Sequence, residues 1–283
     1  MKEYFCGWYV KCQSEEHTLA LIPAVHRTKE QKSASIQIIS EREALHVPLD
    51  ERTLYLDSHE FCIRTEKNFF GKRGMKLDID KNGCRVEGEV CFSPFSHIRY
   101  DIMGPFQYVP FMECRHSIVS MYHEVEGEVS INGNRFIFEN AKGYIEGDRG
   151  CSFPGAYDWT QCFFREGSLM VSAAEIPIGP FHFTGIIGVI FWRGREIRLA
   201  TYLGARAARI SGGEIVITQG DMIFSAKLCE KKEHPLLAPV MGDMRRFIHE
   251  SPSCIAAYSF KKDGKTLFSF KTSKASFEYE YPR

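Results

Sequence analysis

Gly143-Tyr144-Ile145-Glu146-Gly147-Asp148-Arg149-Gly150-Cys151-Ser152-Phe153-Pro154-Gly155-Ala156-Tyr157-Asp158-Trp159-Thr160-Gln161 is the stretch on which the reading of this chain turns. A plain strand alternates apolar and polar residues. Here Glu146, Asp148 and Asp158 crowd beside Tyr144, Phe153, Tyr157 and Trp159. A carboxyl group in apolar surroundings holds its proton and becomes a donor, so this mixture points to acid chemistry among aromatic rings.

Outward from that stretch the periodicity is that of strands. Ser35 to Ser40, Thr53 to Asp57, Met75 to Asp80, Arg135 to Glu139, Glu214 to Thr218 and Ser276 to Tyr281 are short β-rich runs. Between such runs fall Asn82-Gly83, Asn132-Gly133, Gly212-Gly213, Gln219-Gly220-Asp221 and Asp263-Gly264, with Arg193-Gly194-Arg195 a weaker example. Asn-Gly and Asp-Gly supply the positive φ of tight hairpins, so consecutive strands pair antiparallel in a meander, the connectivity of up-and-down barrels and sandwiches. One segment reads as helix: from Pro239 to Glu250, Val240, Met244, Phe247 and Ile248 recur at helical spacing, opposite Asp243, Arg245, Arg246 and Glu250.

Val86-Glu87-Gly88-Glu89-Val90 is echoed by Val125-Glu126-Gly127-Glu128-Val129, with Pro94, Gly104-Pro105 and Pro110 between the copies. This places a domain boundary near residue 110, giving one barrel over 1–110 and a second over 111–283 that carries the Gly143–Gln161 motif. Gly88 and Gly127 inside strands read equally as bend points of a closing barrel or as coincidence.

With 283 residues, 44% of them hydrophobic, the chain can build one large core or two ordinary ones. Thirty-six basic residues balance thirty-six acidic ones, which argues against a nucleic-acid partner. The start, Met-Lys-Glu-Tyr-Phe-Cys-Gly-Trp, holds no apolar leader, and the run Ile186 to Trp192 is far shorter than the ~20 residues that span a bilayer. The expectation is a cytoplasmic protein without a transmembrane segment, compatible with peripheral membrane contact. The oligomeric state is left open.

Ten cysteines are scattered without a Cys-x-x-Cys pair, which reads as reduced thiols serving as small hydrophobes. The histidines form neither His-x-His nor His-Glu-x-x-His, so no metal and no cofactor is expected. Nor is there a Gly-x-Ser-x-Gly elbow, a Gly-x-x-x-x-Gly-Lys phosphate loop or a dinucleotide-binding Gly-x-Gly-x-x-Gly after a strand. Arg206 and Arg209 near Gly204 read as solvated strand residues rather than an anion site.

Gly7-Trp8-Tyr9 with Lys11, then Met112-Glu113-Cys114-Arg115-His116, then Gly143 through Gln161 resemble the tocopherol cyclase-like family. The most specific part is Glu146, Asp148, Gly150, Phe153, Pro154, Trp159 and Gln161, and the likeness runs through Gly188 and Trp192. It implies an all-β chain of two tandem lipocalin-like antiparallel barrels, distantly related to carotenoid hydratases. It also implies a hydrophobic prenylated or isoprenoid small molecule as partner. Family cyclases are isomerases that add a phenol oxygen across a prenyl double bond.

Such a reaction needs an acid loaded near neutral pH, which burial in an apolar barrel interior could supply. It also needs ring faces to hold a cation, each worth roughly 1–2 kcal/mol when desolvated. Asp148, at the family's acidic or amide position, is the first candidate acid and Glu146 the second. His116 is the candidate general base for a phenolic proton. Phe153, Tyr157 and Trp159 are candidate ring walls, and Gln161 would orient a hydroxyl or carbonyl. Each has a plainer reading: Asp148 as a turn cap, Trp159 as core, His116 as a structural histidine.

The usual family pattern after the glutamate is Lys, Asn or Asp, then Trp. This chain has Gly147, Asp148 and Arg149, and Arg149 brings a permanent cation that could depress a neighbouring carboxyl pKa. Three functions from different classes follow: an alkene-protonating enzyme, a non-catalytic hydrophobic-ligand binder whose carboxylates are tied up in salt bridges, and a structural barrel filled by its own side chains.

Overall fold

The computed structural model describes residues 3–57, 60–110, 112–178 and 181–280, apart from the side chains of residues 178 and 181. The first sheet is built from β1 (Tyr4–Gln13), β2 (Thr18–Arg27), β3 (Lys32–Ser40), β4 (Ala44–Leu49), β5 (Tyr55–Leu56), β6 (Cys62–Thr65), β7 (Asn68–Gly71), β8 (Gly74–Lys81), β9 (Cys84–Phe92), β10 (Cys114–Ile131) and β11 (Asn134–Gly150). Their order is β4-β3-β2-β1-β11-β10-β9-β8-β7-β6-β5, antiparallel throughout.

The second sheet holds β12 (Tyr157–Phe164), β13 (Gly167–Ile178), β14 (Phe181–Trp192), β15 (Arg195–Ala200), β16 (Arg206–Ser211), β17 (Glu214–Gln219), β18 (Met222–Glu230), β19 (His234–Val240), β20 (Asp243–Lys262) and β21 (Lys265–Glu280). Its order is β15-β14-β13-β12-β21-β20-β18-β17-β16, with β19 on β20. Tyr281, the last residue of the expected C-terminal strand, lies outside the described residues.

The two ends of each sheet feed one core, which is what a sheet curled into a barrel does. In the first, Val47 and Leu49 of β4 join Ile63 of β6 and Phe70 of β7 in one buried cluster with Val10, Leu21 and Ile145. In the second, Leu199 of β15 meets Ile215 and Ile217 of β17, with Phe224 and Phe260. The chain is thus the all-β tandem of lipocalin-like barrels expected. Among the described residues no helix is long and apolar enough to cross a membrane.

The hairpin signals hold at the backbone. Asn82-Gly83, Asn132-Gly133, Arg193-Gly194, Gly212-Gly213 and Asp263-Gly264 all have consecutive positive φ, the requirement of a tight two-residue turn. The expected helix over Pro239–Glu250 is instead a hairpin. Met241 and Gly242 have φ of 53° and 73°, so β19 ends and β20 begins where a helix would need negative φ. Its supposed apolar face is split, with Ile248 buried and Phe247 65% exposed. The run Thr53–Asp57 shrinks to the two-residue β5 behind a 3-10 turn at Glu51–Thr53.

The echoed pentapeptides pair with each other across β9 and β10, Gly127 opposite Val90 and Val129 opposite Gly88. A Cβ at Gly88 would stand 2.3 Å from Glu128 O, and one at Gly127 2.3 Å from Glu89 O. The two glycines therefore let adjacent strands cross closely and bend, and the echo marks no boundary between domains.

Contacts divide the chain elsewhere than at residue 110. Unit 1 comprises Met1–Ile98, Cys114–Ser152 and Leu237–Arg246; unit 2 comprises Arg99–Glu113, Phe153–Leu236 and Phe247–Arg283. The cause is strand pairing, because β11 lies between β1 and β10. Within unit 2, Arg198 holds Tyr100 and Asp101. It donates to Asp101 O at 3.1 Å and Tyr100 O at 2.5 Å, and its guanidinium lies 3.7 Å from the Tyr100 ring centroid.

Candidate functional site

Strand alternation sorts the Gly143–Gln161 motif into two sets of side chains. On β11, Ile145 points into the unit 1 core, so Tyr144, Glu146 and Asp148 project from the opposite face. The same holds on β1, where Val10 and Cys12 face the core and Tyr9 and Lys11 do not. The register sets Gly7 opposite Asp148, Tyr9 opposite Glu146 and Lys11 opposite Tyr144. That second face is buried as well, with Lys11 and Tyr144 fully enclosed and Glu146 5% exposed. The acids therefore lie outside the apolar barrel interior expected to raise their pKa, on a buried polar face of the same sheet.

His116, across from Asp148 on β10, completes the group. Its Nδ1 lies 2.9 Å from Asp148 Oδ1, and its Nε2 lies 3.1 Å from Glu146 Oε2. The second contact is an ion pair lying off hydrogen-bond geometry, since Nε2 has no hydrogen-bond partner. Only an imidazolium carries N–H groups on both nitrogens, which is the form that suits a carboxylate at each. Burial pushes the imidazole pKa down, but Asp148 and Glu146 outweigh it and hold His116 well above the usual histidine range. His116 thus already carries the proton that a resting general base would have to lack.

Two further groups extend the chain of polar atoms. Tyr144 donates its hydroxyl to Glu146 Oε2 at 2.5 Å, and Cys114 Sγ donates to Asp148 Oδ1 at 3.5 Å. Burial, then the neighbouring carboxylate, pushes both the phenol and the thiol well above their ordinary pKa. Both stay protonated as donors. Tyr144 was legible as one ring among several; its i, i+2, i+4 spacing with Glu146 and Asp148 is the signal that joins them on one strand face.

His116, Glu146 and Asp148 each place a ligand atom within 4.8 Å of the others, a spacing that a cation could fill. The imidazole turns a different nitrogen toward each carboxylate, the arrangement of an imidazolium between two anions. Arg149 is exposed and alternates to the other face of β11 from Asp148. Gly147, at the family's lysine position, backs onto Trp8; a Cβ there would stand 3.1 Å from Trp8 Cδ1.

Phe153, Tyr157, Trp159 and Gln161 belong to unit 2. Cys162 and Phe164 enter the unit 2 core and Thr160 reaches the core residue Tyr258 at 2.6 Å, so Asp158 shares that inward face. Tyr157, Trp159 and Gln161 share the opposite face, again buried. Trp159 is buried, on the face of β12 opposite the side chains of the unit 2 cluster. Phe153 meets Tyr157 edge-on at 6.3 Å, and Tyr157 donates its hydroxyl to Glu278. Glu278 lies directly opposite both Trp159 and Glu250 in register, and Glu250 and Glu278 are both buried. These two carboxylates, far apart in sequence, were not singled out by any motif.

No protein-family model matches the chain, and no curated protein does. Among solved structures it is similar to CghA, solved with Sch210972, with TM-score 0.60 at 10% identity over 99% of this chain and 89% of that one. It is similar to a putative AttH from Nitrosomonas europaea, with TM-score 0.56 at 10% identity over 100% and 94%. Kievitone hydratase from Nectria haematococca matches with TM-score 0.54 at 9% identity over 99% and 89%. At these identities the likeness shows the fold alone, shared over nearly the whole of the chain.

Proposed function

We propose that the protein binds a hydrophobic prenylated or isoprenoid small molecule and catalyses acid-initiated addition across its prenyl double bond, as the tocopherol cyclase-like resemblance implies. The carrying observation is His116 held between Asp148 and Glu146 on a buried face. In this reading His116 takes the donor's part first expected of Asp148, and the two carboxylates keep it loaded.

A raised pKa weakens an acid by about 1.4 kcal/mol per unit. The carboxylates return that in the transition state, because proton transfer leaves a neutral imidazole and two anions beside the new cation. A carboxylate about 4 Å from a cation contributes ~4 kcal/mol at an effective dielectric of 20. The alkene gains the proton at carbon, the phenol oxygen closes the ring on the tertiary cation, and the phenolic proton returns to His116. The base role expected of His116 becomes the second half of its cycle.

A second reading, non-catalytic binding of a hydrophobic ligand, is favoured by one observation: both carboxylates are already paired with His116. Incubation with a panel of prenylated quinols separates the two. Catalysis predicts cyclised product from the wild type and loss of turnover in His116→Gln and Asp148→Asn. A co-purifying isoprenoid in native mass spectra with no turnover supports binding alone.

A further inference from the structure

His123 lies on the other side of β10 from His116, opposite Gly143 and therefore on the face that carries Ile145 into the unit 1 core. It is fully buried, and the rings of Phe92 and Phe95 stand 4.7 and 4.8 Å from its own. Phe61 continues the aromatic set, 6.3 Å from Phe95 and 6.5 Å from Trp8.

The hydrogen bonds fix its tautomer. Ser120 donates its one hydroxyl proton to Tyr122 O at 2.9 Å, so Ser120 Oγ, 3.0 Å from His123 Nδ1, is the acceptor there. Nδ1 carries the hydrogen, and Nε2 is left as a lone-pair acceptor. Burial favours this neutral form. That Nε2 is buried and has no hydrogen-bond partner.

Gly143 does not cap it. A Cβ at 143 would lie 2.1 Å from Nε2 and 2.5 and 2.6 Å from Cδ2 and Cε1, near-equal distances that place it over the ring face. The in-plane lone pair therefore points elsewhere than at β11. An unpaired buried acceptor is unfavourable, and a ligand donor would relieve it. One polar group among apolar rings is the composition of a small-molecule site.

We propose that this aromatic end of the unit 1 interior binds an apolar molecule bearing a hydroxyl group, whose O–H donates to His123 Nε2. The site is separate from the His116 face. Phe95 is only half-buried and sits on the non-strand segment after β9, anchored through Ser93 N to Glu124 O and Ser96 N to Tyr122 O.

The test is calorimetric titration with 1-naphthol and with 1-methoxynaphthalene, which keeps the shape and lacks the donor. The wild type should prefer 1-naphthol by about tenfold, and His123→Phe should abolish the preference. His116→Gln should retain it. In the wild type, 1-naphthol should shift the His123 Nε2 resonance in 15N spectra while Nδ1 keeps its proton, a readout that stands if His123→Phe does not fold. Equal affinities, no binding, a preference surviving in His123→Phe or lost in His116→Gln, or an unmoved Nε2 resonance would each overturn the proposal.

Discussion

His116 Nδ1 donates to Asp148 Oδ1 at 2.9 Å across the β10–β11 register, joining residues 32 positions apart on one buried sheet face. Removing the negative charge removes the force that keeps the imidazole protonated. Asp148→Asn should lower the His116 pKa toward the ordinary histidine range. NMR titration of the ring reads it directly, and an unchanged pKa would count against the pairing.

The same pair makes stability depend on pH. A histidine whose folded pKa is raised contributes stability that is fully present below its unfolded value of about 6.5 and is lost as pH rises through the folded value. The difference in melting temperature between wild type and His116→Gln should shrink as pH climbs above neutrality. A difference that is constant or grows with pH would contradict it.

His26 and His123 act in the opposite direction. Burial, joined for His26 by His46, lowers the first to about 4, and burial lowers the second to about 3. The unfolded chain takes up protons at both sites before the folded one does, so stability falls as pH drops from about 6.5 toward those values. The loss is on the order of 3 to 5 kcal/mol per site. Urea midpoints at pH 7 and pH 4.5 check it, with His26→Gln flattening part of the slope.

Gly143→Ala should destabilise unit 1 by about 2 kcal/mol or more, since its Cβ would overlap the His123 ring. Gly155→Ala is the control, with nothing within 4 Å of its Cβ, and should be near neutral. Chemical denaturation of the two variants tests the contrast.

Arg198→Lys should not be conservative, because a lysine cannot make the forked contacts to Tyr100 O and Asp101 O while pairing with Glu196. A loss of about 1–3 kcal/mol is expected, as for buried acceptors left without their donors. Hydrogen exchange should rise first in residues 99–113.

The hairpins were legible because their turns are local: Asn82-Gly83 or Asp263-Gly264 states its backbone conformation in two residues. The resemblance carried the two-barrel fold. The segment Pro239–Glu250 is no helix because its apolar residues fall at helical spacing by coincidence, while Met241-Gly242 sets a tight turn in its middle. The division of the chain was hidden because it depends on β1 pairing with β11, a contact of high sequence separation. The acids and His116 are visible in the sequence, but their pairing is not: only the register brings His116 to Asp148, and only strand parity puts the group on the face away from the core.

In the proposed reaction the His116 proton ends on carbon. A single turnover of a prenylated hydroquinone in deuterium oxide tests it most directly, read by mass spectrometry and 13C NMR of the product. The expected result is a cyclised product with one deuterium at the former alkene carbon, formed by the wild type and reduced at least about 100-fold in His116→Gln. Wild-type protein that yields no cyclised product, or a His116→Gln variant that forms the deuterated product at the wild-type rate, would contradict it.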